Sequence, residues 1–309
     1  MNSFKGRDII STAELSKEEF LEIMDVTRKM EDLVKEKKVT DLMADKLVAV
    51  LFMEPSTRTR LSFETAVHRL GAKPITVSSA ASSSAAKGES LADTARTVDG
   101  YVDAIVVRQP LKGGAKIMAD AAKAPLINGG DGAGQHPTQA LLDMYTILKE
   151  KGSLDNLKVA MVGDLKYGRT VHSLSYALAP FTPTEYIFCA PDELQMPDEI
   201  VNDMKGKSIT CTKTSDINVA LQADVVYMTR IQKERFDDPA EYERLKGSFV
   251  LNRKLVETGN KDMIIMHPLP RVDEIAEDVD ALPNAAYFRQ AHNGVFLRMA
   301  LLAMVTGSV

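Results

Sequence analysis

The 309-residue sequence predicts an α/β fold of two domains, each a parallel β-sheet flanked by helices, with the active site in the cleft between them. Three observations predict it. Short β-type runs alternate with helix-patterned segments along the whole chain, the pattern of parallel sheets covered by helices. The length suits about two domains, each with its own core. Cationic and amide side chains recur where the strand-like runs end, which is where open parallel sheets bind ligands.

The elements follow in order. A helix is expected over 17–37, then an apolar strand over 47–53 that stops at Pro55 and opens into a helix over 58–70. Strands at 74–77, 104–107 and 126–128 alternate with helices at 90–100 and 114–123. The helix 137–151, with Pro137 well placed at its first position, bridges to the second domain. There, strands at 157–162, 185–190, 208–212, 224–228 and 263–266 alternate with helices at 168–178, 198–205, 217–222 and 238–245. The last apolar helix, 294–306, is expected to pack back on the first domain. The domains are then 1–135 with 291–309, and 136–290. No internal repeat is seen, and the Ser/Ala-rich segment 78–86 reads as a surface loop.

Composition excludes several classes. Charged residues make up 26% and hydrophobic ones 45%, as in soluble globular proteins. A net charge of -5 argues against a nucleic-acid partner, so an anionic ligand must be held by local clusters. The two cysteines, Cys189 and Cys211, sit in no metal-ligand spacing, and the five histidines form no HExxH pattern. No protein-bound metal and no cofactor are expected. The first residues lack the apolar stretch of a signal peptide, and no apolar run is long enough to span a membrane. A reducing, cytoplasmic location is expected.

The segment Pro55-Ser56-Thr57-Arg58-Thr59-Arg60 carries the most chemistry. A strand that turns into a helix presents free backbone N–H groups and a positive dipole end, where anions bind. Here three hydroxyls and two guanidinium groups join them, and Pro55 holds Glu54 extended. This is a phosphate cradle built without glycine, unlike a Walker loop. Further strand ends carry Arg108, then His136-Pro137-Thr138-Gln139, then Gly163 to Thr170, whose glycine spacing is not that of a dinucleotide loop. Thr229-Arg230-Ile231-Gln232 and His267-Pro268-Leu269-Pro270-Arg271 complete the set. Together they gather negative charge: a phosphate on one side and a carboxylate ligand on the other. No nucleophile with its base and no catalytic carboxylate pair is apparent. What remains is electrostatic stabilisation of an oxyanion and a departing phosphate, which suits group transfer from an acyl phosphate.

Nearly end to end, the sequence resembles the catalytic chains of the aspartate carbamoyltransferase family, within the aspartate/ornithine carbamoyltransferases. The carrying motifs are Phe52 to Arg60, Lys87-Gly88-Glu89-Ser90, His136 to Gln139, Gly163 to His172, Met228 to Arg235 and His267 to Arg271. The first and third are common to carbamoyltransferases and specify the donor. Ornithine enzymes typically have His-Cys-Leu-Pro where this chain has His267-Pro268-Leu269-Pro270, and they lack a counterpart of Lys87. Arg230 with Gln232 points to the same acceptor, aspartate.

The resemblance implies transfer of a carbamoyl group from carbamoyl phosphate to L-aspartate in pyrimidine biosynthesis. It implies Ser56, Thr57, Arg58, Thr59 and Arg108 on the phosphate, with Thr59, Arg108 and His136 polarising the carbamoyl oxygen. Gln139 and the Pro268 carbonyl would hold the carbamoyl amino group. Arg169 would take the α-carboxylate, and Arg230, Gln232 and Lys87 the β-carboxylate, with the Leu269 carbonyl orienting the amine. Arg58, Thr59, Lys87, Arg108 and His136 would be the catalytic set. No protein base is implied, since the departing phosphate would take the amine proton. Ser83 and Lys87 would act in the neighbouring subunit's site, implying a homotrimer with shared sites. Glu54 would pair with Arg169 and Arg235 across the domains. Some members add zinc-containing regulatory chains. Ala86 stands where some relatives carry a second lysine, leaving one cation fewer. Two alternatives remain at this stage: a carbamoyltransferase for ornithine or a related amine, and a catalytically silent binding subunit.

Overall fold

A computed structural model describes residues 3–36, 40–79, 84–132, 134–231, 236 and 238–309. The chain divides into two compact units, 1–145 with 292–309, and 146–291.

In the first unit, α1 (Lys17–Lys35) starts at a capping box: the Glu19 amide donates to the Ser16 hydroxyl and the Ser16 amide to the Glu19 carboxylate. Its buried stripe is Phe20, Ile23, Met24, Thr27 and Met30, spaced as one helix face requires. Next come β1 (Leu47–Phe52), α2 (Thr57–Arg69), β2 (Lys73–Val77), α3 (Leu91–Asp99), β3 (Ala104–Gln109), α4 (Gly114–Ala121) and β4 (Leu126–Asp131). The strands form a parallel sheet in the order β2-β1-β3-β4. β3 and β4 are buried along their whole length, as strands covered on both faces must be. β2 is the partly exposed edge. Phe52 of β1 pairs with Arg108 of β3, so the two strands end level with each other.

Residues 129–131 continue β4, although the glycine-rich run suggested a loop after 128. The backbone reason is close approach. A Cβ on Gly129 would lie 3.2 Å from the Val107 carbonyl oxygen, and Gly130 has φ 119°.

α5 (Pro137–Lys151) follows, with the division between units falling inside it. The second unit contains β5 (Lys158–Val162), α6 (Arg169–Leu178), β6 (Glu185–Cys189), α7 (Asp198–Gly206), β7 (Thr210–Thr214) and α8 (Ile217–Ala220). It continues with β8 (Val225–Met228), α9 (Pro239–Leu245), α10 (Arg253–Val256) and β9 (Ile264–Met266). Its sheet is parallel, in the order β7-β6-β5-β8-β9. Val162 pairs with Met228, and Tyr227 with Met266, which brings the loops after β5, β8 and β9 to one sheet end.

α11 (Tyr287–Thr306) closes the chain and holds the second division between units. It starts at 287 rather than at 294, and Arg289, Gln290, His292, Asn293 and Gly294 lie within it rather than before it. Among the described residues no helix is long and apolar enough to cross a membrane.

Candidate active site

The first unit assembles the residues expected to hold the phosphate donor around the ends of β1, β3 and β4. Ser56 is the N-cap of α2, yet its hydroxyl makes no capping bond, and the first turn carries no acidic residue. The amides that begin an α-helix have no intrahelical acceptor, so this end keeps its anion-binding character. Thr59 is buried, while Thr57 and Arg58 are exposed. Partial desolvation of its guanidinium and then the positive charge of Arg108 hold Arg58 below the usual arginine value. Two guanidinium groups brought together with a single carboxylate, that of Glu54, leave an excess positive charge that a bound anion would relieve.

Arg108 is only 7% exposed. One terminal nitrogen donates to the Gly129 carbonyl at 3.1 Å and the other to Glu54 Oε1 at 2.9 Å, leaving the buried Nε without a partner. The guanidinium fits because Gly130 has no side chain: a Cβ there would stand 2.9 Å from an Arg108 nitrogen and 3.5 Å from the His136 ring. Arg108 and His136 thus meet over the end of β4. His136 is buried, with Nδ1 3.5 Å from the Thr138 hydroxyl. Its carbonyl accepts from the Gln139 amide as α5 begins, and the Gln139 side chain donates to Asp143 at 2.9 Å. The preceding turn is tied by Asp131, which accepts from the amides of Gly113 at 2.8 Å and Gln135 at 2.5 Å.

Lys87 is exposed, at the end of a short 3-10 turn (Ser84–Lys87) ahead of α3. Ser83, which the sequence reading also places here, lies outside the described residues. Glu54 bonds to Arg108, a partner the sequence reading did not foresee.

The second unit holds the residues expected to bind the carboxylate acceptor. Gly163 (φ 110°) passes so close to β8 that a Cβ would lie 2.3 Å from the Thr229 carbonyl. The Thr229 hydroxyl accepts from the Asp164 amide and donates to the Val162 carbonyl, both at 2.9 Å. The loop between is pinned by Asp164 Oδ1, which accepts from the Tyr167 amide at 3.0 Å, and by a 2.7 Å bond between His172 Nε2 and the Leu165 carbonyl. Gly168 then caps α6 and presents Arg169 in its first turn, half-buried. Arg230, also half-buried, lines a polar cavity with Thr229, Tyr242, Lys246, Asp273 and Glu274. Gln232 and Arg235 lie outside the described residues.

After β9 the chain turns sharply. His267 Nδ1 accepts from the Leu269 amide at 2.8 Å, and its Nε2 meets Glu274 Oε1 at 2.6 Å. Because an amide N–H points at Nδ1, the ring proton belongs on Nε2, where it is donated to the carboxylate. Burial pushes the Glu274 carboxyl up, but the hydrogen bond from His267 outweighs this, with help from backbone amides, and holds it below its ordinary value. Leu269 has φ 53° and precedes a cis peptide to Pro270. Pro268 and Leu269 are half-buried. Among the described residues no group of three His, Cys, Asp or Glu side chains is placed to hold a metal ion.

Residues 7–149 match the carbamoyl-P binding domain of the aspartate/ornithine carbamoyltransferases, and residues 155–305 match their Asp/Orn binding domain. The chain belongs to this family. The aspartate carbamoyltransferase catalytic subunit of Methanocaldococcus jannaschii is 53% identical over 96% of both chains, and that of Methanopyrus kandleri 49% identical over 99% of both. The fold matches that of the M. jannaschii catalytic subunit with a TM-score of 0.91, covering 96% of this chain and 97% of that one. It matches Trypanosoma cruzi aspartate transcarbamoylase, solved with carbamoyl phosphate and aspartate, at TM-score 0.92 and 38% identity over 98% of both chains.

Within this carbamoyltransferase the first unit collects Ser56, Thr57, Arg58, Thr59, Arg108, His136 and Gln139, and the second Arg169, Arg230, Pro268 and Leu269. Sequence reading missed two supports. Glu274 stands seven positions beyond its histidine, across a segment that is neither helix nor strand. Arg298, beneath the donor residues, is remote in sequence; its one signal is a glycine four positions earlier in an apolar helix.

Proposed function

We propose that the chain transfers the carbamoyl group of carbamoyl phosphate to the amino group of L-aspartate, giving N-carbamoyl-L-aspartate and phosphate, the committed step of de novo pyrimidine biosynthesis. The observation that carries this reading is the anion cradle at the start of α2, backed by buried Arg108, in a chain whose relatives are named for this reaction. The phosphate lies against Ser56, Thr57, Arg58, Thr59 and Arg108. Thr59, Arg108 and His136 donate to the carbamoyl oxygen, so that the tetrahedral oxyanion finds its hydrogen bonds already in place. Gln139 and the Pro268 carbonyl hold the carbamoyl amino group. Arg169 receives the α-carboxylate, and Arg230, Gln232 and Lys87 the β-carboxylate, because planar guanidinium forks match carboxylates. The Leu269 carbonyl aims the amine, whose proton leaves with the phosphate.

The same reading makes the donor domain 1–135 with 291–309 and the aspartate domain 136–290, and the assembly a cytoplasmic homotrimer in which Ser83 and Lys87 serve a neighbouring subunit's site. The mass of the native complex distinguishes a bare trimer from one carrying regulatory chains. Turnover of carbamoyl phosphate with aspartate is the direct test. Turnover with ornithine alone would overturn the acceptor, and no turnover with either would favour a silent subunit.

A further inference from the structure

Arg298 is 3% exposed, in a stretch of α11 whose neighbours Leu297 and Met299 to Leu302 are buried. Its guanidinium donates to the Ser62 hydroxyl of α2 at 2.9 Å and reaches the Thr138 hydroxyl of α5 at 3.5 Å. It lies over the Phe63 ring, 5.0 Å from the centroid, and its buried Nε has no partner. Burial holds it below the usual arginine value, an effect that the Asp143 charge opposes and Arg108 reinforces. The space it fills is made by Gly294, one turn earlier: a Cβ there would stand 2.3 Å from an Arg298 nitrogen.

Both residues are unfavourable where they stand. Glycine inside a helix is less favourable than alanine, and a buried guanidinium carries a desolvation cost that two neutral hydroxyl partners do not repay in full. Local rules broken together without a compensating gain in packing point to function. The helices that Arg298 joins are the two that carry the donor residues: α2 begins at the cradle, and His136 leads into α5. When the Thr138 oxygen accepts from Arg298, its own proton faces His136 Nδ1, 3.5 Å away, and a ring that accepts there donates through Nε2.

We propose that Arg298, seated in the slot left by Gly294, is a positioning residue of the donor site. It fixes the start of α2 against the start of α5 and, through Thr138, sets His136 with Nε2 as donor to the carbamoyl oxygen. This rests on the donor reading above. Turnover by the parent chain tests that reading, whereas the variants test Arg298.

The experiment uses the full chain with Arg298→Met, which matches the bulk without donors, and Gly294→Ala, which keeps the arginine but takes its slot. Each is assayed for turnover and for the inorganic phosphate concentration that gives half the full rise in melting temperature. Both variants are expected to melt no lower than the parent without phosphate. kcat should fall at least tenfold, the half-effect phosphate concentration should rise at least tenfold, and KM for aspartate should stay within twofold. A folded Arg298→Met chain with kcat and phosphate response within twofold of the parent overturns the proposal. If that variant does not fold, Gly294→Ala decides by the same criterion, since alanine favours its helix.

Discussion

Replacing His267 separates two bonds that one imidazole makes at once. Its Nδ1 holds the Leu269 amide in a turn of the kind asparagine makes with the residue two positions on, and its Nε2 donates to the buried Glu274 carboxylate. Asparagine keeps an acceptor at the Nδ1 position and loses the reach to Glu274. Glutamine keeps the reach and loses the turn. Both partners are nearly sealed from water, His267 2% and Glu274 6% exposed, so the losses are those of buried groups. His267→Ala strips the carboxylate of its side-chain donor and the Leu269 N–H of its acceptor, together worth about 3–5 kcal/mol. The Val272 and Asp273 amides still bond to its Oε2, at 3.1 and 3.2 Å, which sets the lower end of that range. His267→Asn loses one charge-assisted bond, about 2 kcal/mol. His267→Gln leaves the Leu269 N–H unbonded but releases a left-handed leucine, so about 1 kcal/mol remains. Urea unfolding followed by circular dichroism should therefore rank the cost Ala, Asn, Gln. KM for aspartate should rank differently, raised most by Ala and Gln, because those two free the carbonyls of Pro268 and Leu269. An Ala variant destabilised by less than about 1 kcal/mol, or an Asn variant whose aspartate KM rises as much as that of Gln, refutes the reasoning.

Arg58→Ala should lower kcat for carbamoyl phosphate by at least about 100-fold as well as raise its KM, because the contact strengthens as charge builds on the leaving phosphate; steady-state kinetics with an unchanged kcat would remove it from that role. Inactive Lys87→Ala chains mixed and reassembled with inactive Arg58→Ala chains should regain part of the parent activity, and absence of rescue in verified trimers would place Lys87 in its own subunit's site. The folded Glu274 pKa lies below the unfolded value, so its contribution to stability is present above that unfolded value and lost as pH falls through the folded one. Stability measured downward from pH 5 should drop more steeply in the parent than in Glu274→Gln, and parallel curves would contradict the assignment.

The alternation that predicts two parallel sheets is legible because most strands are continuous apolar runs, buried on both faces as in β3. Edges blur where burial stops dictating residue type. β7 runs Thr210–Thr214, two residues later than the pattern suggests, because half-exposed threonines carry it. The extension of β4 through Gly129 and Gly130 is illegible for another reason: glycine there answers to the Arg108 guanidinium and the neighbouring strand, which local sequence does not reveal. The donor cradle could be read because strand, turn and helix start are consecutive. Its supports could not. Glu54 with Arg108, His267 with Glu274 and Arg298 with Ser62 are pairs made by folding, and one sequence carries no trace of which distant groups meet.

The donor half joins three guanidinium groups, Arg58, Arg108 and Arg298, to two carboxylates that act on them, Glu54 and Asp143. The imbalance is local, since the chain as a whole carries -5. It is also largely shielded from water, because Arg108 and Arg298 are buried. At physiological salt, charges more than about 8 Å apart in solvent are screened, while buried ones are not. Recruitment of the phosphate should therefore depend on occupancy of the cradle and little on the long-range field, which the acidic surface opposes. Sodium sulfate, whose tetrahedral dianion fits the same donors, should raise KM for carbamoyl phosphate several-fold more than sodium chloride at equal ionic strength. Equal effects of the two salts would mean that the general field, and not the cluster at the start of α2, draws in the donor.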